Sequence, residues 1–174
     1  MDIGVLCLNA GVNNPGPVDL ISDERYEAVW NVNGLHVIYL LKALSNQLLE
    51  RDKRCAVLIT SSLAAYMHFA GCSNYSATKV MVSSFGESSY YELEQNVDVT
   101  VWEPGMIYSN IHLKKPPSAI TVETDKSVTD ILRELGKERK TSGSLSFKLS
   151  PNPWNRLIAP GMAKAIRQKF NKMS

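Results

Sequence analysis

The sequence predicts an α/β fold in which a parallel sheet is covered by helices on both faces. Three observations carry this. Short, almost wholly apolar runs read as strands buried on both sides. Longer segments of helical character alternate with them, the order expected of a parallel sheet. The apolar runs also stop at polar or turn-forming residues, where the carboxyl ends of parallel strands gather ligands. A chain of 174 residues is long enough for one domain with a real core. Its 44% hydrophobic and 21% charged content is that of an ordinary globular protein.

The elements follow in order. Residues 3–9 (IGVLCLN) form an apolar run closed by Gly11 and the turn-rich NNPGP, and read as a strand buried on both faces. Ser22, then Asp23 and Glu24, opens a helical region reaching to about Glu50, because serine caps exposed amides and acids favour the positive helix end. Gly34 marks a break within it. Residues 55–61 (CAVLITS) read as a second strand, 73–95 as a long helix, and 97–103 (VDVTVWE) as a third strand stopped by Pro104-Gly105. Residues 106–122, with Pro116-Pro117, read as a loop that covers a substrate. A helix over 123–138, a last strand over 143–149 and a terminal helix over 158–172 complete the chain.

Composition excludes several classes. No run of 18 apolar residues exists, and HVIYLLKAL is interrupted by His36 and Lys42, so no membrane span is expected. The opening MDIGV lacks the pattern of a secretory signal. Cys7, Cys55 and Cys72 are odd in number without metal-ligand spacing, which predicts reduced, cytosol-facing thiols and no metal site. The net charge of +2 divides unevenly, with residues 1–113 acidic and residues 137–174 strongly basic. A basic segment over 150–174 can meet phosphates or an anionic membrane. Aromatic and basic residues do not interleave, so no nucleic-acid partner is expected.

The stretch NYSATK places Tyr75 and Lys79 four residues apart, on one face of the long helix. A free phenol titrates near pH 10, and bringing it to neutrality takes roughly 4 kcal/mol. A unit charge about 4 Å away at an effective dielectric of ~20 supplies that order. Lys79 is therefore expected to make Tyr75 a usable acid or base, unless the two are an ordinary pair on a solvated face.

Other segments decide between these. LNAG (8–11), NVNG (31–34), ITSS with Ser62 thirteen residues before Tyr75, YSATK, and EPGMIYS (103–109) occur in that order over about 100 residues. On these the sequence resembles the short-chain dehydrogenase/reductase family. The resemblance implies a partial Rossmann-like, doubly wound parallel sheet in a single domain over 1–174. It implies Tyr75 as general acid or base and Lys79 as the group that lowers its pKa. Ser62 would hydrogen-bond the substrate oxygen and Asn33 would hold a proton-relaying water. Asn9, Ala10, Gly11, Tyr75, Lys79, Pro104, Gly105, Ile107 and Ser109 would face the cofactor, with Ser109 in place of the usual threonine. Asn9 reads more as a hydrogen-bonding scaffold between strands. Ser61 competes with Ser62, and Asn31 with Asn33. His36, His68, His112 and Cys72 receive no role.

Within the family the texture is similar to the branch of 17β-hydroxysteroid dehydrogenases and very-long-chain 3-oxoacyl-CoA reductases. That implies interconversion of a ketone and a secondary alcohol on a lipid-like molecule, NADP(H) in preference to NAD(H), and a place in the cytoplasm or on the cytosolic face of the endoplasmic reticulum. Homodimerisation through helix 73–95 is implied as well. The tail sets Ile158, Met162, Ile166 and Phe170 on one stripe, which either lies on a membrane or packs on the body of the protein. Two departures matter. Leu8 stands where the family has asparagine, and no TGxxxGxG segment precedes the first strand, so the resemblance sets residue 1 near the family's fourth strand. Two readings follow: the catalytic portion of a ketone reductase, or an inactive fragment that binds or dimerises through an exposed strand edge.

Overall fold

The computed structural model describes residues 2–67, 69–109, 121–144, 168, 169 and 172. In chain order the elements are β1 (Val5–Leu8), α1 (Asp23–Trp30), a π-helical turn (Asn31–Leu35), α2 (His36–Leu49), β2 (Cys55–Thr60), a 3₁₀ turn (Leu63–Ala65), α3 (Ser73–Leu93), β3 (Val97–Trp102), β4 (Met106–Ile107), β5 (Thr121–Val122), α4 (Thr124–Glu134) and β6 (Lys140–Thr141). Strands β1, β2, β3 and β6 pair in that order, all parallel. The expected doubly wound α/β architecture is what forms.

Alternation of side chains across the sheet builds two cores. Cys55, Val57, Ile59, Val97 and Val99 meet Val37, Leu41, Leu48, Val82 and Leu93 of α2 and α3 on one face. Leu58 and Trp102 point the other way, onto Ile131 of α4. Each fully buried valine or isoleucine contributes about 1.5–3 kcal/mol, and slipping β2 by one residue would exchange its two faces. The register Cys55↔Val97 through Thr60↔Trp102 is thereby fixed. It aligns the carboxyl ends of the strands along one edge.

Some expectations need correction. β1 is not buried on both faces: Val5 is 52% exposed and Cys7 is exposed, because no described element covers that side of the strand. Leu8, the family departure, is buried in the core. The helical region 22–50 is two helices joined by the π-helical turn around Gly34. The helix predicted to 138 stops at Glu134, since Gly136 takes a φ of +76° and turns the chain into β6. The last strand among the described residues is Lys140–Thr141, and most of the predicted strand 143–149 lies outside them. Residues 145–150 lie outside the described residues, as does most of the predicted helix 158–172 and of the basic segment 150–174. So do residues 110–120 of the expected substrate loop, whose flanks are joined by a parallel ladder between β4 and β5. No helix among the described residues is long and apolar enough to cross a membrane.

Candidate active site

Asn9 to Gly11, Ser61-Ser62 and Pro104-Gly105 leave the aligned carboxyl ends of β1, β2 and β3. Lys79, in the second turn of α3, reaches toward the ends of β1 and β2. Its Nζ donates to the Thr60 carbonyl at 2.8 Å. Lys79 is 3% exposed, and burial of the ammonium pushes it from 10.5 to about 8. The same Nζ lies 5.6 Å from the centre of the Tyr75 ring.

Ser62 lies close enough to Tyr75 to favour its phenolate. Ser62 Oγ accepts from the Ala64 amide at 3.1 Å and caps the 3₁₀ turn, which leaves its hydroxyl proton for another acceptor. The Tyr75 phenol is nevertheless held above its ordinary value. Burial raises it, Ser62 only partly offsets this, and the nearby Cys72 thiol adds to the rise. Lys79 is not among the groups that shift it. The ammonium sits over the ring and gives a donor to Thr60, while desolvation penalises the phenolate.

Asn33 projects from the π-helical turn, a form of helix that widens locally and recurs at functional sites. It is 1% exposed, whereas Asn31 is exposed, which decides between them. The Val12 amide donates to its Oδ1 at 2.7 Å, and its Nδ2 donates to the Val12 carbonyl at 2.9 Å and to Thr78 Oγ1 at 3.3 Å. Thr78 Oγ1 in turn donates to the Tyr75 carbonyl at 2.7 Å. A methyl placed on Gly11 would stand 3.5 Å from Asn33 Oδ1 and 3.6 Å from Lys79 Nζ, so these three residues come close together. Gly34 allows the approach of the turn to α3, since a Cβ there would come within 2.1 Å of Met81 Cε.

The remaining predicted residues divide into scaffold and rim. Ser61 Oγ donates to the Lys79 carbonyl at 2.8 Å and pins α3, so it serves the backbone and Ser62 faces Tyr75. Asn9 Oδ1 accepts from Thr60 Oγ1 at 2.9 Å, the scaffold part predicted for it. The Pro104 carbonyl accepts from the Leu63 amide at 2.9 Å, and Gly105 beside it is half-buried. Ala10 is exposed, and Ser109 is half-buried just before residue 110. Ile107 packs with Leu58, Trp102 and Ile131, so its side chain belongs to the core. His36 feels burial first and the Lys79 charge after it, both pushing its imidazole down. Thr60 and Thr78 were not foreseen, since their parts depend on which groups the fold sets opposite them. Glu103, a charge closing an apolar strand, gave a visible signal without a role.

A glycine backbone, a buried cation and a phenol brought together suit the sugar and amide of a nicotinamide nucleoside. Tyr75, Lys79 and Ser62 thus stand together at the carboxyl edge of a parallel sheet. The short chain dehydrogenase family model matches residues 1–118, and the chain belongs to that family. Members of the family bind NAD or NADP. The very-long-chain 3-oxoacyl-CoA reductase of Mycosarcoma maydis is 26% identical over 157 residues, covering 88% of this chain and 44% of that protein. Dehydrogenase/reductase SDR family member 7B of Mus musculus is 27% identical, covering 99% of this chain and 59% of its own length. Among solved structures, the bulky-bulky ketone specific alcohol dehydrogenase from Comamonas testosteroni superposes with a TM-score of 0.73 at 20% identity, over 95% of this chain and 64% of that one. The chain spans about half the length of the curated relatives it matches.

Proposed function

We propose that the chain carries the catalytic portion of an NAD(P)(H)-dependent enzyme that interconverts a ketone and a secondary alcohol. The substrate we assign is lipid-like, a steroid or a 3-oxoacyl-CoA, and the cofactor NADPH in preference to NADH. The observation that carries this is the close approach of Gly11, Asn33 and Lys79, with Tyr75 and Ser62 beside them. The resemblance to a very-long-chain 3-oxoacyl-CoA reductase supports the substrate class.

The nicotinamide, when bound, supplies the hydride. Ser62 Oγ orients the carbonyl oxygen, and Tyr75 passes its phenolic proton to that oxygen as charge develops on it. Lys79 and Tyr75 would hold the nicotinamide ribose, and the Gly11 backbone with Pro104-Gly105 would border the ring. Asn33 commits its amide to Val12 and Thr78, so its main task is to fix the Gly11-Val12 segment. One lone pair of Oδ1 remains for the water of a proton relay. The exposed Val80 and Tyr91 on α3 are the surface we assign to homodimerisation, and the free cysteines accord with a reducing, cytosolic side.

The test is NADPH oxidation followed at 340 nm with a 17-ketosteroid and with a 3-oxoacyl-CoA. Tyr75→Phe removes only the acid, and a loss on the order of 10²–10⁴-fold is expected. Activity undiminished in that variant would refute the assignment. Among the described residues no strand pairs with the outer edge of β1, and this edge, with Val5 exposed, favours a second reading as a binding or dimerisation module. A stable dimer that neither quenches NADPH fluorescence nor oxidises NADPH would select it.

A further inference from the structure

Glu103 closes β3 immediately before Pro104-Gly105, and the chemistry above does not use it. It is 5% exposed, a costly place for a carboxyl group unless its oxygens are well occupied. Its backbone amide donates to the Thr141 carbonyl at 2.8 Å, which fixes the strand end to β6. Its side-chain Oε1 accepts from Tyr66 Oη at 2.7 Å and from Ser83 Oγ. The two donors are four residues beyond the two groups that matter most. Ser83 lies one helical turn after Lys79 on the same face of α3. Tyr66 lies four residues after Ser62, in the segment whose Leu63 amide holds the Pro104 carbonyl. Lys140 of β6 donates from Nζ to Tyr66 Oη at 2.9 Å and to Glu87 at 2.5 Å, and so aims the Tyr66 hydroxyl at Glu103.

We infer that Glu103 is a positioning residue: one buried oxygen ties the Ser62 segment, the Lys79 turn of α3 and the Pro104-Gly105 segment into a single geometry. The inference rests on the reductase reading for its effect on turnover, but the tie itself does not. Displacing an orienting group by about 1 Å costs on the order of 100-fold in rate. What matters is an acceptor at that point and not its charge, so an amide of the same shape serves equally.

Glu103→Gln and Glu103→Ala of the full chain separate this from a merely stabilising carboxylate. Amide hydrogen exchange is read for residues 61–67 and 76–83 against the core strands β2 and β3. In Glu103→Ala, exchange in the two segments is expected to accelerate about tenfold with the core unchanged, while Glu103→Gln stays within about twofold of the parent. The inference is overturned if Glu103→Ala leaves the segments unchanged, if all amides accelerate together, or if Gln is as disruptive as Ala. With a ketone substrate, Glu103→Ala should lower kcat by about 10–100-fold with KM within twofold, and Glu103→Gln should restore it. A rise in KM at constant kcat counts against the inference. If the parent chain turns over no ketone, the reductase reading fails, and the exchange data alone decide for or against Glu103.

Discussion

Lys79→Met is the substitution whose consequence the structure fixes most closely, and its sign is unusual for a site residue. The ammonium is 3% exposed and titrates at about 8 in place of 10.5. At about 1.4 kcal/mol per tenfold change, holding it charged at pH 7 costs the folded state about 3 kcal/mol. Methionine removes that cost and fills a similar volume, but it abandons the bond to the Thr60 carbonyl, a loss of about 1 kcal/mol. The variant should therefore be about 2 kcal/mol more stable at pH 7, while losing activity. The pH dependence follows from linkage. Below about pH 8 lysine is protonated in both states and the penalty is constant. Between 8 and 10.5 the unfolded chain binds more protons than the folded one, so stability rises with pH until the penalty is gone. Urea unfolding of parent and variant at intervals from pH 7 to 10.5 measures this. The difference between them should shrink and change sign across that window, and a constant difference, or a variant less stable at pH 7, would refute the reasoning.

Two further outcomes are expected. Gly86→Ala would bring a Cβ within 2.5 Å of Val101 Cγ2 and 3.0 Å of Ile59 Cδ1, both fully buried; overpacking of ~1–3 kcal/mol outweighs a gain of about 1 kcal/mol in helix propensity. A circular-dichroism melt should show Tm lower by about 3–6 °C, and an unchanged Tm would mean that α3 can move off the sheet. Ser61→Ala and Ser62→Ala should differ in turnover and not in stability: each costs about 1 kcal/mol in urea, the first by releasing the Lys79 carbonyl and the second by uncapping the 3₁₀ turn, while only the second removes about 10²-fold of turnover.

The layered fold was legible because its signals are local. CAVLIT and VDVTVW alternate between two buried faces, and Pro104-Gly105 stops the second of them. The Tyr75, Lys79, Ser62 and Asn33 positions were legible through spacing. What spacing could not convey was each group's partner. The Lys79 cation goes to a backbone carbonyl, and the Asn33 amide goes to Val12 across 21 residues. Neither carbonyls nor amides leave a mark in the side-chain alphabet. The exposure of β1 and the early end of α4 were missed for a related reason, since burial depends on what packs alongside and Gly136 acts through its φ.

The raised Tyr75 phenol bears on the protonation state from which the proposed reaction starts. A base for alcohol oxidation must be phenolate near neutral pH, and burial opposes that form, with Ser62 offsetting it only in part. A donor to a ketone oxygen faces the opposite demand: it has to be protonated, and a phenol held above its ordinary value is protonated throughout the neutral range. Transfer to a developing alkoxide still runs downhill, because an alcohol is a far weaker acid than any phenol. Burial therefore keeps Tyr75 in the protonated form from which the proposed reduction draws its proton, and the reverse oxidation would return that proton to the same oxygen.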